Sequence, residues 1–132
     1  MRYKFRFENL KVWQEARKLN RLIYALTRKF PRDELYAMTS QLRRASLSIS
    51  NNIAEGAGRN SDKDFAHFLE QSYGSVMEVA SMHFLALDEG YATEAEAELH
   101  LQKLGELAAQ IASLNRTLEV PTTKTPFPRR RP

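Results

Sequence analysis

The sequence contains no cysteine in 132 residues, which excludes disulfide bonds and thiolate metal sites. Glycine and proline are scarce, with five of each, and three of the prolines fall within the last seven residues. An interior so poor in helix-breaking residues favours helices. No apolar run approaches the roughly 20 residues of a spanning helix, and the N-terminus lacks the apolar run of a signal peptide. We therefore expect a cytoplasmic protein with no membrane partner.

Patterns that carry enzymatic or metal chemistry are missing as well. Di-iron bundles use Glu-x-x-His pairs, and the chain has none; Asp64 with His67 and Glu96 with His100 are isolated pairs. His67 and His83 fall on opposite faces of one predicted helix. No phosphate-binding loop of the Walker type is present, and Ser46, Ser48 and Ser50 have no histidine nearby in the sequence. We predict no catalytic residue, no metal, no cofactor and no small-molecule substrate.

Charge is distributed unevenly, although the net charge is only +4. Residues 1–60 carry 13 Lys and Arg against 5 Asp and Glu, whereas residues 61–118 carry 3 against 10. The last 14 residues are basic again. Such a split indicates either a surface for a polyanion or two faces that attract each other between subunits.

Helical periodicity predicts four helices of similar length joined by short connections, which is typical of an antiparallel up-down-up-down bundle. The domain would span residues 1–120, and a disordered Pro/Arg-rich tail would follow at 121–132. The helices are predicted from about Asn9 to Lys29, from near Asp33 to Gly56, from Ser61 to Gly90 and from Thr93 to about Leu118. Residues expected to cap or stop them are Asn9, Ser61, the pair Thr93 and Glu96, and the glycines Gly56 and Gly90.

Each predicted helix carries an apolar stripe that would form the core. Its members are Val12, Trp13, Ala16, Leu19, Ile23, Leu26 and Phe30 in the first helix; Leu35, Met38, Leu42, Ala45, Ile49 and Ile53 in the second; Phe65, Phe68, Leu69, Ser72, Val76, Val79, Ala80 and Leu87 in the third; and Ala97, Leu101, Leu104, Ala108, Ile111, Leu114 and Leu118 in the fourth.

The second helix also keeps an uninterrupted polar stripe beside its apolar one. Its members are Gln41, Arg44, Ser48, Asn51 and Glu55. Such a stripe either buries a polar network or presents a surface, and solvated charge is the commoner case. We expect Arg44 to lie within ion-pair reach of a carboxylate, that of Glu78 or of Glu55.

Arginine is enriched in the basic half, and arginine is favoured over lysine where phosphate is gripped by two hydrogen bonds. At about 100° per residue, Arg17, Arg21 and Arg28 bunch on one side of the first helix, away from its apolar stripe. Tyr3, Phe5 and Phe7 alternate with basic residues, and aromatic rings in such a pattern can stack on unpaired bases. The alternative interpretation is that Phe5 and Phe7 simply dock on the bundle. The candidate nucleic-acid-binding residues are Arg17, Lys18, Arg21, Arg28, Arg43, Arg59, Arg129, Arg130 and Arg131.

Several motifs together resemble those of one protein family. They are Phe7-x-x-Leu10-x-Val12-Trp13-x-x-Ala16, Phe30-Pro31-x-x-Glu34, Gln41-x-x-Arg44-Ala45-x-x-Ser48-Ile49-x-x-Asn52-Ile53-Ala54-Glu55-Gly56 and Gly74-Ser75-x-x-Glu78. The chain is similar to the four-helix bundle proteins encoded in intervening sequences of bacterial large-subunit ribosomal RNA genes. The accessory variability determinant of diversity-generating retroelements is a relative of these.

The resemblance implies an up-down bundle that assembles as a homopentamer, a basic surface for nucleic acid, and no catalytic activity. By the same resemblance, six residues are expected to serve the fold and its assembly: Arg44, Ser48, Asn52, Glu55, Gly56 and Glu78. Two functions stay open at this point. The first is a non-enzymatic homo-oligomer that binds RNA or DNA. The alternative is a protein-interaction scaffold whose basic face meets an acidic protein partner.

Overall fold

The computed structural model of the protein describes residues 1–118, most of which belong to four α-helices. These are α1 (Lys11–Thr27), α2 (Ser40–Ala57), α3 (Asp62–Asp88) and α4 (Glu94–Thr117). Shorter turns precede α1 and α2: 3₁₀ turns at Arg6–Asn9 and Arg32–Glu34 and a π-helical turn at Leu35–Thr39. No strand occurs within residues 1–118, and the predicted all-α four-helix fold is confirmed.

Contacts between consecutive helices pair the start of one with the end of the next. Gln41, at the start of α2, donates a hydrogen bond to Glu78 of α3. Ser72 lies earlier in α3, and its hydroxyl donates to the backbone oxygen of Ile49, further along α2, at 2.8 Å. Residue numbers rise along α2 as they fall along α3, so the two helices run antiparallel. Corresponding contacts join the other helices: Asn20–Ser46 and Thr27–Arg43 for the first two, Ala66–Asn115 and His83–His100 for the last two, and Lys29, two residues past the end of α1, with Glu96 of α4.

The core lies where the four apolar stripes meet. Buried members of the predicted stripes are Val12, Ala16, Leu19, Ile23, Leu26, Phe30, Leu42, Ala45, Ile49, Ile53, Phe65, Leu69, Ser72, Val76, Val79, Ala97, Leu104, Ala108 and Ile111. Partly buried members are Trp13, Met38, Phe68, Ala80, Leu87, Leu101, Leu114 and Leu118. The prediction for Leu35 is wrong, since 45% of this residue is exposed. A π-helical turn holds more residues than an α-helical turn, so the turn that begins at Leu35 rotates it off the stripe of α2.

Helix starts follow the predicted capping pattern in two of three cases. The Ser61 hydroxyl accepts the backbone N–H of Asp64 at 3.1 Å, and Thr93 and Glu96 form a reciprocal capping box at the start of α4. The prediction that Asn9 caps α1 is wrong. Asn9 ends the preceding 3₁₀ turn, and Leu10 occupies the cap position without a side-chain hydrogen bond.

Of the two glycines predicted to end a helix, one does so and the other does not. Gly90 follows α3 with φ +76°, and the N–H of Tyr91 bonds the Ala86 oxygen at 2.9 Å, which is the predicted left-handed stop. Gly56 is not such a stop, because α2 continues through it to Ala57. A Cβ atom at Gly56 would lie 2.7 Å from Cβ of Phe68, so the residue permits the close approach of α2 and α3.

The predicted tail, residues 121–132 with Arg129, Arg130 and Arg131, lies outside the described residues, as do Glu119 and Val120 of the predicted domain. Within residues 1–118, no helix combines the length and the apolar character needed to cross a membrane.

Candidate nucleic-acid interface

Three arginines project from the outer face of α1, and we call Arg17, Arg21 and Arg28 the arginine row. All three are exposed, as their helical spacing predicts. Among residues 1–118 the ion pairs are Arg2–Glu8, Lys18–Glu15, Lys29–Glu96 and Arg59–Glu55, so none of the row is neutralised by a carboxylate there. The row therefore presents positive charge that the described part of the chain leaves available to a ligand.

Lys18 lies beside the row on the same helix. Its ammonium is 3.2 Å from the carboxylate of Glu15; the Lys18 side chain is 74% exposed and that of Glu15 37%. Exposed pairs of this kind contribute little free energy because water and salt screen them. Lys18 can therefore exchange Glu15 for a phosphate at small cost.

Arg43 is bound within the chain and is not a free cation. Its Nε donates to the Thr27 hydroxyl at 2.7 Å, and its guanidinium carbon lies 4.5 Å from the ring centre of Tyr24. Thr27 is itself buried and donates to the Ile23 oxygen at 2.8 Å. Arg43 thus ties α2 to α1. Its partner Tyr24, which is half-buried and absent from the predicted site, lies seven residues after Arg17 and therefore on the same side of α1 as the row.

Arg59 lies at the end of the bundle where α2 meets α3. It pairs with Glu55 at 3.1 Å, and its guanidinium carbon lies 4.6 Å from the ring centre of Phe68. The nearby Arg6 donates to the Ala57 oxygen at 3.1 Å and stands over Phe65, which holds the N-terminal segment against the bundle. Arg59 remains exposed, but it belongs to this end of the bundle and not to the arginine row.

Four aromatic rings form a continuous series from the N-terminal segment to α1, and we call Tyr3, Phe5, Phe7 and Trp13 the aromatic ladder. Successive ring centres are 5.1, 5.5 and 4.8 Å apart, and the rings of Phe5 and Phe7 are nearly parallel at 11°. Phe7 and Trp13 pack against the core, whereas Phe5 is 49% exposed and Tyr3 76%. Docking on the bundle therefore accounts for Phe7 but not for the outer two rings.

A carboxylate clasp fixes the ladder in place. Both oxygens of Glu8 accept hydrogen bonds from Arg2, at 2.7 and 2.9 Å, and one also accepts the backbone N–H of Phe5 at 2.8 Å. The hydrogen bonds from Arg2 and then from Phe5 lower the pKa of Glu8 to about 2. The Glu8 backbone oxygen accepts a bond from Gln14 of α1. Neither Arg2 nor Glu8 was among the predicted site residues.

An open groove of about 850 Å³ lies between three rings of the ladder, Phe5, Phe7 and Trp13, and the first two residues of the row, Arg17 and Arg21. Arg17 links its two sides, because its guanidinium carbon lies 5.5 Å from the ring centre of Trp13. We call this the arm groove; its walls are Arg2, Phe5, Phe7, Glu8, Trp13, Gln14, Arg17, Lys18 and Arg21. Among residues 1–118, Glu8 is the one carboxylate that lines it, and Arg2 already neutralises Glu8. The groove therefore combines flat apolar surface with excess positive charge.

The motif residues of α2 organise helix packing rather than a site. The hydroxyls of Ser48 and Ser75 are 2.8 Å apart, and Asn52 donates to the Ser48 hydroxyl at 2.9 Å. The ion pair predicted for Arg44 is wrong. Arg44 is exposed, Glu78 accepts a hydrogen bond from Gln41 instead, and Glu55 pairs with Arg59 one turn further along. The polar stripe of α2 thus presents a surface.

The core holds a pair of histidines that the sequence analysis did not assign. His83 Nδ1 donates to the Val79 oxygen at 2.8 Å, which leaves Nε2 to accept a bond from Nδ1 of His100 at 2.9 Å. Burial lowers the pKa of both imidazoles, and the charge of His83 lowers that of His100 further. A signal was present, because His83 lies four residues after Val79 and His100 three residues after Ala97, each on a buried stripe.

Within residues 1–118, no three His, Cys, Asp or Glu side chains converge in a way that could hold a metal ion.

Comparison with known proteins gives one family. The family model described as "23S rRNA-intervening sequence protein" matches residues 8–113, which cover α1, α2, α3 and most of α4. No curated protein sequence matches the chain.

Proposed function

Because the chain belongs to the family of 23S rRNA-intervening sequence proteins, we propose that it is a non-enzymatic homo-oligomer that binds RNA or DNA. The observation that carries the proposal is the arginine row. Three exposed guanidinium groups on one helix face have no carboxylate partner among the described residues. Guanidinium groups match the geometry of phosphate and stay charged at any physiological pH.

We propose a homopentamer, as the family resemblance implies. Support for self-association comes from α3, whose outer face exposes Met77 to 42%, Phe84 to 57% and Leu85 to 49%. Met77 and Phe84 are seven residues apart and therefore share one side of the helix. An exposed apolar face of this kind is typical of a protein–protein contact, and a second copy of the chain is the partner that is always present.

The proposal is tested by reversing the arginine row, in the variant Arg17→Glu/Arg21→Glu/Arg28→Glu. We expect the helical circular dichroism signal and the oligomer to persist, since no buried apolar contact is lost. Affinity for nucleic acid should fall, and the slope of log affinity against log salt should flatten by about 2–3 as three phosphate contacts per subunit disappear.

The matched control reverses the same amount of charge elsewhere. Lys63, Lys103 and Arg116 are the three basic residues of α3 and α4, and all are exposed. The variant Lys63→Glu/Lys103→Glu/Arg116→Glu should lose far less affinity, because only the general field of the protein changes. Equal losses in the two variants would contradict the assignment of the site to α1.

The competing function is a scaffold whose basic face binds an acidic protein or the acidic half of a neighbouring subunit. The uneven charge of residues 1–60 and 61–118 favours it as the second candidate. If reversal of the row dissolves the oligomer while binding per subunit persists, the row is a subunit interface, and the scaffold is the better description.

A further inference from the structure

We propose that the arm groove binds unpaired bases of single-stranded RNA or DNA. The exposed ring of Phe5 stacks on the bases, and Arg17 and Arg21 hold the adjoining phosphates. This inference rests on the proposed function and narrows it to a class of ligand and a set of contacts.

The outer rings of the aromatic ladder are exposed to solvent. Phe5 and Tyr3 keep about half or more of their surface in water, although the Arg2–Glu8 clasp holds the segment that carries them. Flat apolar rings held rigidly at a surface are a stacking platform, since any base has a face that can lie against them. The near-parallel rings of Phe5 and Phe7 present that platform in a fixed orientation.

The arm groove also carries a net positive charge. Arg2 engages Glu8, so the net charge of the groove comes from Arg17, Lys18 and Arg21. A ligand that fits both walls must carry a flat apolar part and an anionic part close together. A nucleotide has this chemistry in each repeating unit, whereas an acidic peptide supplies the anion without the flat ring.

Single strands and duplexes differ in how much of each base they leave open to the ladder. In a duplex the faces of the bases are covered by their stacked neighbours, so a duplex could reach the groove only with its phosphates. A single strand can splay its bases onto aromatic side chains while its backbone follows the basic residues. The ladder is therefore useful only for unpaired nucleotides.

Trp13 reports directly on the groove, because it is the only tryptophan of the chain and forms the inner ring of the ladder. The full-length protein is titrated with three 5′-phosphorylated probes of equal phosphate number: a 20-nucleotide deoxythymidine strand, an abasic strand of the same length and a blunt ten-base-pair G·C-rich duplex. We expect the thymidine strand to change Trp13 emission and to bind about tenfold more tightly than the abasic strand, since each stacked base adds a factor of this order.

Variants assign the preference to the ladder. Phe5→Ala should abolish the difference between the thymidine and abasic strands, whereas Phe5→Tyr should preserve it. The matched control is Tyr36→Ala, since Tyr36 is 93% exposed in the π-helical turn at the opposite end of the bundle. It should bind all three probes as the unmodified protein does. Circular dichroism confirms that each variant is folded.

Equal affinity for the thymidine and abasic strands overturns the inference, as does a preference that survives in Phe5→Ala. Either result leaves the proposed function standing, because the abasic strand still binds through its phosphates. Failure of all three probes to bind at low salt overturns the proposed function together with the inference. A change in Trp13 emission on dilution without nucleic acid, lost in Phe5→Ala, assigns the groove to a second copy of the chain and also overturns the inference.

Discussion

His83 and His100 are the most deeply placed titratable pair in the described chain, with 0% and 5% of their surfaces exposed. The bond from His83 to the Val79 oxygen fixes one tautomer, and the bond between the rings then fixes the other. The neutral pair joins α3 to α4 without burying charge. Burial disfavours a charged imidazole here, so the folded state resists protonation of the pair.

The pair predicts a specific dependence of stability on pH. Both folded-state pKa values are lowered, so below about pH 6.5 the unfolded chain binds more protons than the folded chain. The free energy of unfolding should therefore decrease as pH falls from 7 to 5, by up to about 1.4 kcal/mol per pH unit and histidine. Urea denaturation at constant protein concentration measures this slope.

Two variants make the test of the histidine pair specific. His83→Leu/His100→Leu removes both partners together and should flatten the profile between pH 7 and 5. His67→Gln, at an exposed position of α3, should leave the profile of the original protein intact. Charged groups near His100, namely Glu96, Lys29 and Lys103, act on its pKa in opposite directions and stay in place in both variants. An unmodified protein with a flat profile over this range would contradict a buried neutral pair.

At the level of single residues, the sequence predicts which side chains are exposed, because exposure follows helical periodicity. It does not predict which side chains bond to each other, because this depends on how the helices pack. The spacing of Arg17, Arg21 and Arg28 was enough to predict their exposure. The partner of Arg44 could not be predicted in this way, because Gln41 and Glu78 meet across two helices whose relative rotation no local pattern encodes. The clasp of Arg2 and Glu8 depends in turn on a short 3₁₀ turn that carries no periodic signal.

Among the helices, the four apolar stripes and the capping residues Ser61, Thr93 and Gly90 could be predicted, because each depends on neighbours within a few positions. The start of α2 could not. Its π-helical turn changes the number of residues per turn. A prediction that assumes the α-helical value of 3.6 residues per turn places Leu35 in the core. Gly56 shows the same limit, because what it accommodates is a phenylalanine of another helix.

The crossing of α2 and α3 yields a prediction about this glycine. In Gly56→Ala the new Cβ would lie 2.7 Å from Cβ of Phe68 and 2.9 Å from the Phe65 ring, so the helices must move apart. We expect a loss of about 1–3 kcal/mol in the free energy of unfolding, the usual cost of overpacking.

Gly105 supplies the matched control, since it lies within α4 and a Cβ there would meet nothing within 4 Å in the described structure. Gly105→Ala should raise the free energy of unfolding by up to about 1 kcal/mol, because alanine is the better helix former. Denaturation curves of the two variants at one protein concentration measure the difference. Equal stability of the two would show that α2 and α3 are not in close contact at Gly56.

At the scale of the whole molecule, the exposed apolar face of α3 is the surface through which we propose that the chain self-associates. Phe84→Glu places a charge in the exposed apolar face, and we expect light scattering to report the mass of one chain with the helical signal retained. Leu99→Glu is the control, because Leu99 is 51% exposed on α4. It should leave the oligomer intact. An unmodified protein that is monomeric throughout the micromolar range would contradict the proposed assembly.

The side of the molecule formed by α1 differs chemically between its two ends. The ladder rings cluster around Trp13 at the first turn, whereas Arg28 follows the last turn, about 22 Å further along at 1.5 Å per residue. A nucleic-acid strand is itself directional, with distinct 5′ and 3′ termini. A strand lying along this face would therefore bind in one orientation better than in the reverse, and a cyclic assembly would repeat that orientation in every subunit. Such a ring would distinguish the polarity of a transcript without reading its sequence.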